Sequence, residues 1–246
     1  MNDHAPKSAV PMSELADKAK ADAEKRMMFV MARMVQPETP EEIAEIKKMD
    51  RQYRESIFSS LCPPLYRDTT ADRIPDQASL AKVMAWKSRP RGADGVCRLN
   101  ARGLTLVGEP GSGKTRAAWL KLHAAMMAGC RVLAFDGLGW GLAVSSHFGD
   151  SGTVEDWIAQ CCGVDILFID DCFKARLTEA QEFALFGVLD RRAAHMRPTI
   201  LTMNTSGAAL AGRTAKTAGE SDRFDAIMRR MTEFSDVIQF RKKVPA

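Results

Sequence analysis

Leu104-Thr105-Leu106-Val107-Gly108-Glu109-Pro110-Gly111-Ser112-Gly113-Lys114-Thr115 reads as a strand that runs into a glycine-rich loop and stops where a helix-like stretch, Arg116–Ala128, begins. The loop satisfies G-x-x-x-x-G-K-[ST] in the strand–loop–helix setting that gives this pattern its meaning. Glycines let the backbone wrap around a polyphosphate, so that amides and the helix N-terminus point at the anion. Lys114 is suited to the β- and γ-phosphates, and the Thr115 hydroxyl to a Mg²⁺ ion. Gly108 to Thr115, with Arg116 at the helix start, form the candidate nucleotide-binding set. The competing reading, a glycine-rich turn with an incidental lysine, does not explain the flanking strand and helix.

A site of this kind needs a carboxylate on the metal side, delivered by another strand. Val164-Asp165-Ile166-Leu167-Phe168-Ile169-Asp170-Asp171 supplies a buried-strand run that ends in two acids. Asp170 is the candidate metal residue with Thr115. Asp171 is the candidate that orients or deprotonates an attacking water. The next apolar run ends in Thr202-Met203-Asn204. Asn at a strand end is commonly a turn former, but after the two earlier motifs Asn204 can sit between a γ-phosphate and water. Further on, Arg223, Arg229 and Arg230 lie in the helix-like stretch Ser221–Phe234. An arginine lent by a neighbouring subunit to such a site is worth about 10³–10⁵ in rate.

Short apolar runs alternate with helix-like segments from about residue 100 onward. The runs are Gly103–Val107, Val132–Phe135, Ile166–Ile169, Thr199–Met203 and Val237–Phe240. This alternation predicts an α/β domain with a mostly parallel five-stranded sheet flanked by helices. Ahead of it, two helical stretches are expected, Ser13–Val35 and Glu41–Leu61, parted by Gln36-Pro37-Glu38-Thr39-Pro40. The first carries Met27, Met28, Phe29, Met31 and Met34; the second places Ile43, Ile46, Met49, Tyr53 and Ile57 at helical spacing. A Met-rich face serves either core packing or docking of a partner. So small a segment hardly buries a core alone, which favours a partner. The expected organisation is a helical region over 1–61, a lead-in over 62–99 and a catalytic domain over 100–246, with a loop at Thr214–Glu220.

Composition narrows the class. The chain has 246 residues, 46% hydrophobic and 27% charged, as in ordinary globular proteins. No uninterrupted apolar run reaches membrane-spanning length, and the first thirty or so residues lack a signal-like apolar core. Six cysteines occur without a C-x-x-C pair, so free thiols and a cytoplasmic location are expected. The net charge of +4 is mild but unevenly spread. Residues 131–170 hold one basic and six acidic residues, whereas 191–246 hold eleven basic and five acidic. The C-terminal arginines are thus expected to meet something anionic, nucleotide or nucleic acid.

Taken in order, these motifs resemble the DnaC/IstB branch of the AAA+ ATPases, which includes replicative-helicase loaders and a transposition ATPase. The resemblance runs from Cys62 to the C-terminus. It takes in Pro63-Pro64-Leu65-Tyr66-Arg67-Asp68 as the lead-in, Gly108–Thr115 as Walker A and Ile166–Asp171 as Walker B. Leu189-Asp190-Arg191-Arg192 follows, then Arg197–Asn204 as the sensor 1 strand and Arg229-Arg230-Met231 as the arginine-finger helix. It implies an ATPase using ATP and Mg²⁺, with Arg230 as the finger in trans, Arg229 beside it, and self-association of the chain. It also implies docking of a DnaB-type replicative helicase through residues 1–61 and placement of that helicase on single-stranded DNA. The alternatives are an IstB-like regulator of a transposase on duplex DNA and, from another class, a P-loop small-molecule kinase. The sequence departs from the family in carrying Asp171 where many AAA+ proteins have Glu. By the resemblance the DNA-contacting insertion is expected near Gly137–Phe148, which contains no Lys or Arg; Trp140 and Phe148 there could stack bases, but packing is the stronger reading of both. The short stretch after Arg230 implies no helical lid domain and leaves Arg241 as the candidate sensor 2 arginine.

Overall fold

A computed structural model of the protein describes residues 39–86, 102–149, 152–173, 177–204 and 218–242. The expected helix Ser13–Val35 and most of the expected loop at Thr214–Glu220 lie outside these residues. The chain divides into two compact units, Met1–Ser56 and Ile57–Ala246. Helix α1, Pro40–Leu61, begins in the first and ends in the second.

In the first unit the start of α1 follows from Thr39-Pro40-Glu41-Glu42. The Glu42 amide donates to Thr39 Oγ1 at 3.2 Å, and Glu42 Oε2 accepts from the Thr39 amide at 3.1 Å. This reciprocal cap satisfies two amides that the helix itself cannot pair, while Pro40 occupies a position where no amide is needed.

The second unit continues with α2 (Pro64–Arg67), a 3₁₀ turn (Ala71–Arg73) and α3 (Gln77–Ala85). Then strands and helices alternate: β1 (Gly103–Gly108), α4 (Lys114–Met127), β2 (Val132–Asp136), α5 (Gly137–Gly149), α6 (Val154–Cys162) and β3 (Ile166–Asp170). They are followed by α7 (Glu179–Ala194), β4 (Thr199–Met203), α8 (Ala218–Glu233) and β5 (Ser235–Phe240). The five strands form one sheet in the order β2-β3-β4-β1-β5, and every ladder is parallel.

A parallel sheet is covered on both faces, which is why its strands read as continuous apolar runs rather than alternating ones. Within β3, Ile166 and Phe168 join a core with Leu106, Leu122 and Trp119. Leu167 and Ile169 face the opposite core, with Trp157, Leu185 and Ile227. Each strand residue thus chooses a core by its parity.

Packing decides the open reading of two aromatic residues and of several arginines. Gly137–Gly149 is a packed helix, and Trp140 within it is 1% exposed, stacked edge-on to Phe135 and Trp157 at 5.5 and 5.4 Å. Trp140 is therefore a core residue and offers no face to a base. Phe148 is partly buried against the same core. Nor are the first three arginines of the basic C-terminal stretch free. Arg192 is fully buried and donates to the carbonyls of Cys161, Val164, Asp165 and Pro198 and to Thr199 Oγ1. Arg197 donates to the carbonyls of Cys162 and Val164, and Arg191 pairs with Glu155. These arginines tie α7 to the loops below the sheet, because unpaired carbonyls buried there need donors.

Candidate functional site

The strand order explains how distant motifs meet. β4 lies between β1, which leads into the glycine loop, and β3, which ends in the acids. Thr202 and Asn204, at the C-terminal end of β4, therefore stand between the loop and the carboxylates. Chain direction does the rest, since a parallel sheet presents all its C-terminal ends along one edge.

Gly113 turns the loop into the helix. Its φ is +97°, a left-handed value that a side chain would strain, and a Cβ there would lie 3.1 Å from Ile74 Cγ2 and from Pro75. α4 accordingly starts at Lys114, two residues before the helix expected from sequence. Lys114 is 4% exposed, and its Nζ donates to the Glu109 carbonyl at 2.9 Å. Burial lowers the ammonium below its ordinary pKa, while the charges of Asp171 and Asp170 pull it part of the way back. The side-chain hydroxyl of Ser112 is buried with no hydrogen-bond partner among the described residues. A loop that buries a lysine and an unsatisfied hydroxyl beside a helix N-terminus fits a polyphosphate.

On the metal side, Thr115 Oγ1 donates to Asp170 Oδ1 at 2.8 Å. The donor direction matters: with its proton given to the carboxylate, the threonine oxygen keeps its lone pairs for a cation. Burial pushes the Asp170 carboxyl above the ordinary aspartate range. Hydrogen bonds from Thr202 and Thr115 oppose this, and the Asp171 charge adds to it. A half-buried carboxylate with a hydroxyl beside it is a hard oxygen donor set of the kind Mg²⁺ takes. Thr202 Oγ1 also donates to Asp170 Oδ1, at 2.6 Å. Asn204 Nδ2 donates to Asp171 Oδ1 at 3.1 Å.

Lys114, Thr115, Asp171 and Asn204 border one cleft of about 490 Å³, lined also by Pro110, Gly111 and Gly113. Arg116 lines it too, yet its guanidinium is engaged with the lead-in. It donates to the Leu65 carbonyl at 3.3 Å and to Thr69 Oγ1 at 3.1 Å, and lies 5.6 Å from the Tyr66 ring centre. Gly108 closes β1 against Phe240, and Glu109 contributes the carbonyl that holds Lys114.

Other predicted residues stand elsewhere. Arg230 Nε donates to Asp190 Oδ1 at 2.7 Å and its guanidinium lies 5.9 Å from the Phe186 ring centre. The Arg229 side chain is 62% exposed, with only a 3.9 Å approach to Glu233. Neither lines the cleft of their own chain. Arg241 is exposed at the end of β5, where its backbone amide donates to Asp76 Oδ2 at 2.9 Å.

Sequence reasoning missed Tyr66, Arg73 and Pro75 as walls of the cleft. The quoted lead-in contained Tyr66, but no local pattern marks Arg73 or Pro75; only the proximity of Ile74 and Pro75 to Gly113 brings them in.

No protein-family model and no curated protein matches the chain. Solved structures do. A structure of the DnaC helicase loader matches with a TM-score of 0.57 at 21% identity, over 73% of this chain and 100% of that one. The chain shares the fold of that structure. DnaI matches with a TM-score of 0.53 at 18% identity, over 67% of this chain and 82% of that one. The replication initiator DnaA, bound to AMPPCP and single-stranded DNA, matches at 0.52 and 16% identity, over 74% of this chain and 51% of that one. The chain also spans 40% of the length of a DNA replication initiation factor. What the shared fold contributes is the placement of strand ends; the chemistry rests on the side chains at those ends.

Proposed function

We propose that the protein binds and hydrolyses ATP at this cleft and acts as a helicase loader, docking a DnaB-type replicative helicase and helping to place it on single-stranded DNA. The observation that carries the chemical part is the convergence of Lys114, Thr115, Asp171 and Asn204 from three strand ends on one cleft, with Asp170 just behind it, hydrogen-bonded to Thr115.

The loop amides and Lys114 hold the polyphosphate. Thr115 and Asp170 would hold Mg²⁺, which supplies charge neutralisation across the β- and γ-phosphates. Asp171, steadied by Asn204, orients the water. The water oxygen attacks the γ-phosphorus as the bond to the ADP oxygen breaks, and the water proton passes to Asp171 and on to solvent. Products are ADP and inorganic phosphate. Asp171 has a shorter reach than glutamate, so the water must come closer to the β3 end.

An arginine from a second copy completes the charge balance in this reading. The resemblance assigns that part to Arg230, and exposure favours Arg229. The proposal carries the pair, separated by test below.

Support for the loader part is the likeness in fold to DnaC and DnaI, together with the helical unit ahead of the ATPase core. Full-length protein mixed with the replicative helicase encoded in the same genome should co-elute as a complex, in an ATP-dependent manner. Absence of any complex at micromolar concentrations, with and without ATP and single-stranded DNA, removes the loader reading and leaves the ATPase.

A further inference from the structure

We infer that Thr202 is a positioning residue that sets the geometry of both acids, the carboxylate of Asp170 and the backbone of Asp171. This rests on the proposed reading of the cleft as a Mg²⁺-dependent ATPase site.

The register of β3 and β4 ends at the pair Ile169–Leu201. One step further, Thr202 replaces the regular ladder with three contacts to consecutive residues. Its hydroxyl donates to Asp170 Oδ1 at 2.6 Å. The same oxygen accepts the Asp171 amide at 2.7 Å. Its carbonyl accepts the Cys172 amide at 2.9 Å. Thr202 is fully buried.

A threonine hydroxyl has one proton and two lone pairs. Here the proton goes to an ionised carboxylate, which can only accept, and a lone pair takes the Asp171 amide. The hydroxyl is thus a relay with a fixed direction. It leaves Asp170 Oδ1 saturated by two hydroxyls, from Thr115 and Thr202, which fixes the plane of the carboxylate. Its other end acts on the backbone. Asp171 has φ +49°, an uncommon left-handed value for a non-glycine residue. Such a conformation persists where the surroundings over-determine it. Two constraints do so here: the Thr202 hydroxyl on the Asp171 amide, and Gly137, where a Cβ would sit 2.5 Å from the Asp171 carbonyl oxygen. That turn aims the Asp171 side chain at Asn204.

Thr202 itself does not line the cleft; its effect passes through the acids. Replacing the hydroxyl by a methyl in Thr202→Val keeps shape and volume and deletes both ends of the relay. Thr202→Ser keeps the relay and deletes the methyl. The experiment measures kcat, KM for ATP, the Mg²⁺ concentration for half-maximal activity and the Kd for a fluorescent ADP, all on the full-length protein. Expected for Thr202→Val are a kcat lower by about 10–100-fold, in line with outer-shell substitutions at metal sites, and a raised Mg²⁺ requirement. ADP affinity measured without Mg²⁺ should stay at the wild-type value. Thr202→Ser should recover most of the loss.

Wild-type kcat and Mg²⁺ dependence in Thr202→Val overturn the inference. So does Thr202→Ser performing as poorly as Thr202→Val, since packing of the methyl is then what matters. If Thr202→Val does not fold, Thr202→Ala takes its place beside Thr202→Ser under the same criteria. If the wild type hydrolyses no ATP under any condition, the functional reading fails. The inference is then judged on the Mg²⁺ dependence of ADP binding, which the relay predicts to weaken in the variant lacking the hydroxyl.

Discussion

Arg230 reaches from α8 to Asp190 on α7, Nε to Oδ1, at 2.7 Å, while its neighbour Arg229 projects into solvent. Adjacent arginines on one helix therefore have different tasks available to them. Arg230 is three-quarters buried against its own chain, with the Phe186 ring beside its guanidinium.

Two substitutions separate stability from transfer of an arginine to a second copy. Arg230→Ala should lower the unfolding free energy by about 1 kcal/mol, because it deletes a partly buried ion pair and its cation–π contact. Arg229→Ala should leave stability unchanged. Whichever serves a neighbour's ATP should lower kcat by about 10³-fold or more. That loss should be partly restored by mixing the variant with Lys114→Ala subunits. Recovery with neither variant would exclude an arginine in trans and favour an activity complete within one subunit, as in a small-molecule kinase.

Asp170, half-buried at the end of β3, is expected to cost stability when charged. Its folded-state pKa is raised, so the folded state binds a proton more readily than the unfolded one and the ionised group opposes folding at neutral pH. Asp170→Asn should then raise Tm in the absence of Mg²⁺ by about 2–4 °C, corresponding to about 1 kcal/mol for a chain of this size. The same variant should lose ATPase activity and the stabilisation by Mg²⁺. A thermal melt with EDTA and one with Mg²⁺-ADP check both halves.

Asp76 has the opposite sign. It caps α3 by accepting the Ser79 amide at 3.0 Å, and its other oxygen accepts the Arg241 amide. Burial pushes its carboxyl up, but these amides, the Ser79 hydroxyl and the Arg241 charge more than offset that and hold it below the usual range. The contribution is present in full above the unfolded-state pKa and is lost as pH falls through the lower folded-state value. Asp76→Ala should cost about 1 kcal/mol at neutral pH, and the difference from wild type should shrink in acid. Denaturant melts at neutral pH and in acid measure it.

Arg192 carries the largest expected stability effect. Arg192→Met removes the donor shared by the carbonyls of Cys161, Val164, Asp165 and Pro198. Val164 keeps the Arg197 guanidinium and Pro198 the Leu167 amide, but loss of the shared donor from the other buried carbonyls should cost roughly 3 kcal/mol, read as a lower urea midpoint with the cleft residues unchanged.

The nucleotide loop, the acid pair and Asn204 were legible because each sits at a strand end, where a few contiguous residues state both position and chemistry. The strands themselves were legible as apolar runs, although β5 begins at Ser235 and not at Val237. Roles set by packing between distant elements were not. Arg192 sits in a basic stretch that reads as an anion-binding surface, and only the docking of α7 under the sheet buries it. Trp140 follows a glycine-rich turn and reads as packing more readily than as a stacking platform, and Phe135 and Trp157 close over it. Thr202 was visible as a letter beside Asn204, but its bond to Asp170 depends on β3 and β4 being neighbours. Arg230 and Asp190 lie on different helices, and no spacing rule joins them.

The most direct measurement is steady-state ATP hydrolysis by the purified full-length protein, beside Lys114→Ala, with Mg²⁺ and with EDTA. The account predicts Mg²⁺-dependent turnover by the wild type, none in EDTA, and neither nucleotide binding nor turnover in Lys114→Ala. Turnover by Lys114→Ala at the wild-type rate, or a wild type that neither binds nor hydrolyses ATP with helicase and single-stranded DNA present, would contradict it.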